Sequence, residues 1–214
     1  MTPPPHPPEL PTTSDAPDVA GIFGRREEPA RELASQATAV AAACHAMALR
    51  FHQGGKLLVF GTGTSATDAQ HVAVEFVHPV IVGKRALPAL SLTADVATVS
   101  GIAVTAGVDG IFAHQLRCLA APADIAMGIS TDGQCAATIE GLRTAGDLGL
   151  LTIALVGAGG GVLAAQAASD HLLVTAATDP RIVKEMQVTS YHVLWELVHV
   201  FFEQPGLLAP TVIA

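Results

Sequence analysis

KLLVFGTGTSATDAQH, from Lys56 to His71, is the stretch whose reading decides the fold. Lys56 to Phe60 is a short, continuous apolar run, the pattern of a strand buried on both faces of a parallel sheet. It runs straight into Gly61-Thr62-Gly63-Thr64-Ser65-Ala66, and the spacing beyond predicts a helix from about Ser65 to His78. Strand, glycine-rich turn and helix together form the first half of a βαβ unit. Working outward, four more strand-like runs follow: Ala89 to Leu92, Ala123 to Ile129, Leu150 to Val156 and His171 to Val174. Helical stretches separate them, about Asp95 to Ala103, Gly110 to Leu119, Cys135 to Leu148 and Gly161 to Ala168. A helix from Arg25 to His52, stopped by Gly54-Gly55, precedes them, and one from Arg181 to Phe202 closes the series before Pro205. Strands alternating with helices imply crossovers, and hence an α/β three-layer sandwich with a parallel sheet covered on both faces.

Composition fits that reading. Half of the 214 residues are hydrophobic, yet only 4% are aromatic and 14% charged, so the apolar content is mostly small and aliphatic. Such a chain is not disordered throughout. Eleven basic residues against 19 acidic ones leave a net charge of −8 and no basic stripe, which argues against a nucleic-acid partner. The longest uncharged apolar run, Leu148 to Ala168, is interrupted by Gly157, Gly159, Gly160 and Gly161, so no membrane span is expected. Met1 to Pro17 holds seven prolines and no basic residue, unlike a signal peptide. Cys44, Cys118 and Cys135 show no metal-type or redox spacing, and a cytoplasmic location is expected. The low charge content then points to surface covered by partner subunits. A tail over residues 1–20, one domain over 21–205 and a tail over 206–214 are expected.

Three features can carry chemistry. The loop Gly61 to Ala66 matches the dinucleotide pattern G-x-G-x-x-A, but the first acid after the next strand is Asp95, over 30 residues beyond Gly61. That is too far for the ribose-binding acid, so NAD is set aside. Glycines and hydroxyls at a helix start suit a phosphate equally well, and a ligand-free tight turn also fits. The second feature, Ser130-Thr131-Asp132-Gly133, closes a strand; its hydroxyls can hold a phosphate, while Asp132 repels one, and Asp and Gly are also ordinary turn formers. The third is His71 with Glu75, one turn apart on one helix face, a spacing for metal ligation, acid–base work or a plain surface hydrogen bond. On the last helix Glu185, His192, Glu196 and His199 read as a solvated or subunit-facing stripe.

Taken together, these motifs resemble the phosphoheptose isomerase family of SIS-domain proteins. HQGGKLLVFGTGTSATDAQHVAVEF is similar to the family's F-G-N-G-G-S-x-x-D-A-x-H-x-x-x-E segment, and PRIVKEMQVTSYHVLWELVH to its R-I-Q-E-x-H-x-x-x-x-H ending. ALPALSLTADVATVSGIA, GISTDG and LTIALVGAGGGVLA follow the family in order and spacing. The resemblance spans roughly Arg25 to Phe202. It implies a five-stranded, flavodoxin-like parallel sheet, a homotetramer with active sites between subunits, and aldose–ketose isomerisation of a sugar phosphate through proton transfer between C1 and C2. It implies zinc on His71, Glu75 and His192, with Glu75 as general base and His192 as acid. Gly63, Thr64 and Ser65 in one loop, Ser130, Thr131 and Asp132 in the other, and Asp95 become substrate-binding candidates.

This sequence also departs from the family. The family's remaining zinc ligand, a Gln, falls on Lys184 or on Val183, depending on which end of the motif is aligned. Val has no donor atom and a protonated Lys no lone pair; Lys184 can instead act as a cation beside Glu75, or Glu185 can supply the ligand if the helix start is remodelled. The family's S-T-S-G-N-S becomes Ser130-Thr131-Asp132-Gly133-Gln134-Cys135. Thr64 resembles the G-T-S of DnaA-associating SIS proteins, which are not isomerases; they lack the Glu kept here as Glu75. A non-catalytic module that binds a carbohydrate derivative or a protein partner is therefore the alternative expectation.

Overall fold

The computed structural model describes residues 18–208. Five strands form one all-parallel sheet: β1 Leu57–Gly61, β2 Ala89–Ser91, β3 Ile125–Ser130, β4 Leu151–Val156 and β5 His171–Val174. Their spatial order is β2-β1-β3-β4-β5, and the register is continuous, for example Val59 opposite both Ser91 and Met127. Every residue of β1, β3 and β4 is buried, as expected of central parallel strands.

The two faces of the sheet divide the core by strict alternation. Leu57, Val59, Ile125, Met127, Ile153 and Leu155 pack on one face against helices α3 Ala37–His52, α4 Thr64–Val77 and α9 Pro180–Glu203. Leu58, Phe60, Ala126 and Ala154 pack on the other against α5 Val96–Ala106, α6 Ile111–Leu119, α7 Ala136–Asp147 and α8 Gly161–Ala165. Side chains in a strand point alternately up and down, so a register slip of one residue would exchange the two cores. The result is the three-layer sandwich expected.

Three boundaries differ from the sequence expectation. The first helix is two: α2 Glu27–Ser35 and α3, divided at Gln36. The Gln36 side chain donates to the Val174 carbonyl at 2.7 Å and accepts from the Val174 N–H at 3.2 Å. Its amide thus acts as one residue of a neighbouring strand on the free edge of β5, an arrangement that satisfies exposed edge groups. The expected N-terminal tail lies outside the described residues up to position 17. Asp18 caps a short helix, α1 Val19–Gly24, accepting from the Gly21 N–H at 2.8 Å. At the other end, residues 209–214 lie outside the described residues, but Leu208 is buried in the core beneath α3, so the folded unit extends past 205. No helix among the described residues is long and apolar enough to cross a membrane.

Candidate active site and metal centre

Strand order reverses between β1, which is followed in chain by β2 on one side, and β3 on the other. Ligands of open parallel sheets bind beyond the carboxyl ends of strands at such a switch point. Both loops singled out in the sequence meet there. They line a cleft of about 340 Å³, with Thr62 and Ser65 from the β1–α4 loop and Ser130, Thr131, Asp132, Gln134 and Cys135 from the β3–α7 loop. Every one of these side chains is polar or a thiol.

Local backbone demands explain the glycines. Gly63 has φ +58° and ψ −126° immediately before α4, a conformation costly for a residue with a Cβ. Gly133 has φ +70°, and a Cβ there would lie 2.0 Å from the Gly160 carbonyl oxygen. The second loop is braced internally: Ser130 Oγ accepts from the Gly133 N–H at 3.0 Å, and Asp132 Oδ1 accepts from the Gln134 N–H at 3.0 Å. The Asp132 carboxylate thus takes up a backbone donor of its own loop. Thr62 Oγ1 and Cys135 Sγ lie 3.1 Å apart across the cleft. Burial pushes the Cys135 thiol up, but the polar surroundings at the start of α7, with the hydroxyl of Thr138, that of Thr62 and the nearby backbone N–H groups, favour the thiolate more, and the net shift is downward.

Further along α4, three candidate ligands converge. His71 and Glu75 sit one turn apart on α4 and His192 on α9, with one ligand atom of each lying within 4.8 Å of the others. His71 Nε2 is 3.2 Å from Glu75 Oε1. Two imidazoles and a carboxylate suit zinc, and three protein ligands with an open position are the pattern of catalytic rather than structural zinc sites. The residues therefore fit the cation that the sequence implied.

Lys184 does not join this group. Its ammonium lies 2.8 Å from both carboxylate oxygens of Asp68 and 3.1 Å from the Thr64 carbonyl. Val183, the other position for the family's Gln, is buried against Gly157. Glu185 is taken by Arg26, at 2.7 Å, so the helix start is not remodelled to bring it in. Asp95 is the N-cap of α5, accepting from the N–H groups of Ala97 and Thr98 and from the Thr98 hydroxyl. The Thr98 hydroxyl foremost, and then these amides, hold its carboxyl below the usual range. It lines a different, larger cavity of about 630 Å³ between α5 and α6.

Several residues that the sequence left unremarked tie the site together. Trp195 Nε1 donates to the Glu75 carbonyl at 2.8 Å, fastening α9 to α4 at the level of the ligands. Gln187, 2% exposed, donates to the carbonyls of Ser130 and Leu155 and fixes α9 to the ends of β3 and β4. Tyr191 places its hydroxyl 2.9 Å from His71 Nδ1, and burial, followed by the charges of Asp68 and Glu75, raises its phenol. Its ring and those of His71 and His192 meet edge to face, with centroids 4.9 to 5.4 Å apart. His199 leaves the expected solvated stripe: it is 2% exposed and its two ring nitrogens meet the carbonyls of Trp195 and Arg85.

Comparison with known proteins shows the family. The SIS domain family model matches residues 27–157. A phosphoheptose isomerase of Solidesulfovibrio magneticus is 37% identical over 182 residues, covering 85% of this chain and 88% of that protein. One from Aquifex aeolicus is 38% identical over 152 residues, 71% of this chain and 78% of that one. Among solved structures, the phosphoheptose isomerase of Francisella tularensis superposes with a TM-score of 0.79 at 29% identity, covering 85% of this chain and 96% of that one. That of Neisseria gonorrhoeae gives 0.77, also at 29% identity, with 84% and 96% covered. The chain belongs to the SIS-domain family and, within it, to the phosphoheptose isomerases.

Proposed function

We propose that this protein is an aldose–ketose isomerase acting on a sugar 7-phosphate, of which sedoheptulose 7-phosphate is the first candidate. The observation that carries the reading is the convergence of His71, Glu75 and His192 on α4 and α9, on the same helix whose first turn borders the hydroxyl-lined cleft. From Ser65 to His71 is six residues, or about 9 Å of helix rise. That span suits a substrate with its phosphate at one end and its carbonyl at the other.

In this reading Ser65, Ser130 and Thr131 hold the phosphate, with Gly63 and Thr64 shaping the approach. Glu75 removes the proton bound to carbon next to the carbonyl and returns it to the neighbouring carbon. His192 delivers a proton to the oxygen side and takes it back. Zn²⁺ held by His71, Glu75 and His192 would supply Lewis-acid stabilisation of the negative charge that develops on the substrate's oxygens. Trp195 keeps the backbone of Glu75 in place through its carbonyl. The non-catalytic alternative is not favoured, because the relatives are isomerases over most of their length and the Glu75 carboxylate lies beside an imidazole.

We also assign the protein to the cytoplasm, where its three free cysteines suit a reducing compartment, and to a homotetramer. Apolar side chains crowd the surface around the end of α4 and along α5: Val82 is fully exposed, Val104 is 87% exposed, and Val77, Val80, Ile81 and Val96 join them. Beside α9, Ala30, Leu33, Ala34, Val193 and Leu197 form an apolar groove. Exposed apolar area of this extent marks association, and sedimentation analysis gives the subunit number.

The activity test uses the purified full chain with sedoheptulose 7-phosphate. Turnover that a chelator abolishes and that Glu75→Gln lowers by about 10²-fold or more is the expected result. A Glu75→Gln variant as fast as wild type, or a metal-free protein with no turnover even after zinc is added, would overturn the reading.

A further inference from the structure

One buried polar atom beside the hydroxyl-lined cleft is left without a partner. Thr138 is 0% exposed, and its Oγ1 meets no hydrogen-bond partner among the described residues. A buried hydroxyl left unpaired is costly, and one that persists calls for a reason such as a bound ion or a redox role. Thr138 stands three residues along α7 from Cys135, on the same helix face. Side chains on a helix lean back towards its N-terminus, which aims Thr138 at Cys135. Its methyl group turns to β3, where a Cβ on Gly128 would lie 3.0 Å from it. Its hydroxyl neighbours the Cys135 thiol.

Cys135 is half-buried at the N-cap of α7 and lines the cleft together with Ser65 and Ser130. Its Sγ lies 3.1 Å from Thr62 Oγ1. The first N–H groups of an α-helix have no intrahelical partners, and no side chain caps those of α7. The sulfur is therefore reachable from the cleft and stands among donors with spare capacity. Accessible thiols in such surroundings are the ones that oxidise. We propose that Cys135 is a modification site, at which a hydroperoxide converts the thiol to a sulfenic acid whose new oxygen is received by Thr138 Oγ1, and that this closes the cleft to a phosphate ester. The thiol first gives its proton to solvent. The thiolate sulfur attacks one peroxide oxygen, an S–O bond forms as the O–O bond breaks, and the departing hydroxide takes up a proton as water. Sulfur gives up two electrons and the peroxide receives them. A small-molecule thiol reverses the change: it attacks the sulfenic sulfur and expels water, and a second thiol then releases Cys135 from the mixed disulfide. The oxidation itself needs only the residues around Cys135. Its effect on turnover rests on the function proposed above, in which the phosphate lies beside Ser130.

The test treats the full chain, in a Cys118→Ser background, with hydrogen peroxide in the presence of dimedone, which traps sulfenic acids, and locates the adduct by mass spectrometry. The expected result is an adduct at Cys135 and none at Cys44, formed more slowly when inorganic phosphate is present. Thr138→Val removes the hydroxyl and should be trapped about tenfold more slowly, while Thr138→Ser keeps it and should match the parent. Without dimedone, peroxide should abolish turnover of sedoheptulose 7-phosphate, and dithiothreitol should restore it. Absence of an adduct at Cys135 overturns the proposal, as does a Thr138→Val protein trapped as fast as the parent or a Thr138→Ser protein as slow as the Val variant. An oxidised protein that turns over at the parent rate overturns the closing of the cleft. If the adduct forms and depends on the Thr138 hydroxyl, yet phosphate does not slow it and neither the reduced nor the oxidised protein turns over a sugar phosphate, the modification site stands and the isomerase reading fails.

Discussion

The carboxylate of Asp132 accepts a hydrogen bond from the backbone N–H of Gln134 at 3.0 Å, inside the loop expected to hold a phosphate. A negative charge there opposes an incoming dianion. At about 5 Å and an effective dielectric near 20, the repulsion is on the order of several kcal/mol, falling to about 1 in a fully solvated cleft. Because the cleft is open, the lower figure applies. Asp132→Ser, which restores the family's residue and frees the Gln134 N–H, is expected to lower KM for a sugar phosphate about tenfold with kcat nearly unchanged. Inorganic phosphate should also inhibit the variant more strongly than wild type. Equal KM values for the two proteins would show that Asp132 does not face the phosphate.

Lys184 and Asp68 form a second local balance of charge. Asp68 is 5% exposed and Lys184 is its counter-charge. Removing one partner of a buried pair leaves the other charge uncompensated, at about 3 kcal/mol or more when both are buried. The Lys184 side chain is 40% exposed, so Lys184→Met is expected to cost nearer 2 kcal/mol. Asp68→Asn combined with Lys184→Met should recover most of that loss, since the double variant buries no lone charge. Urea melts of the wild type, both single variants and the double variant test this; strictly additive losses would mean that the pair is not coupled.

The parts of the fold legible in the sequence were those set by local pattern. The run Leu57 to Phe60, the turn at Gly63 and the helix carrying His71 and Glu75 follow from burial on both faces, a required positive φ and the 3.6-residue period. What stayed hidden depended on partners far along the chain. Nothing near Gln36 announces a helix break, because the group that holds it is Val174. His199 lies two turns from the exposed His192, so periodicity puts both on one face; the Arg85 carbonyl covers the far end of the helix and buries it. Tyr191 and Trp195 read as ordinary core residues, since their polar ends meet α4 some 120 residues earlier. The identities of the three candidate ligands were legible, and the framework holding them was not.

Cys135 makes the cleft accessible to chemical labelling. Its thiol is shifted net downward, whereas burial pushes the Cys44 thiol up to about 12. The thiolate is the reactive form. In a Cys118→Ser background, alkylation by iodoacetamide is therefore expected at Cys135 and not at Cys44. The pH midpoint of the reaction should lie below that of an ordinary thiol, and sugar phosphate should protect. Labelled protein should lose phosphate-ester binding, because the adduct fills the space beside Thr62 and Ser130. Mass spectrometry locates the label; unimpeded labelling at saturating substrate would place the substrate elsewhere.

The helix that brings His192 to the site begins at Asp179, whose carboxylate accepts from the Arg181 N–H at 3.0 Å and pairs with the Arg181 guanidinium at 2.7 Å. The Arg181 side chain first, then its backbone N–H, hold the Asp179 carboxyl at about 2, against 3.8 for the free group. A folded-state value below the unfolded one means that the stabilisation is complete above about pH 4 and is lost as pH falls from there towards 2. Asp179→Asn keeps an N-cap acceptor of similar quality but removes the charge, while Asp179→Ala removes both. At neutral pH the Ala variant should melt lowest and the Asn variant between it and wild type. On acidification the Asn and wild-type melting temperatures should converge, down to the lowest pH at which wild type still melts cooperatively, while the Ala variant keeps a residual deficit. A gap between wild type and Asn that stays constant across that window would show that the Asp179 charge contributes nothing to holding the start of this helix.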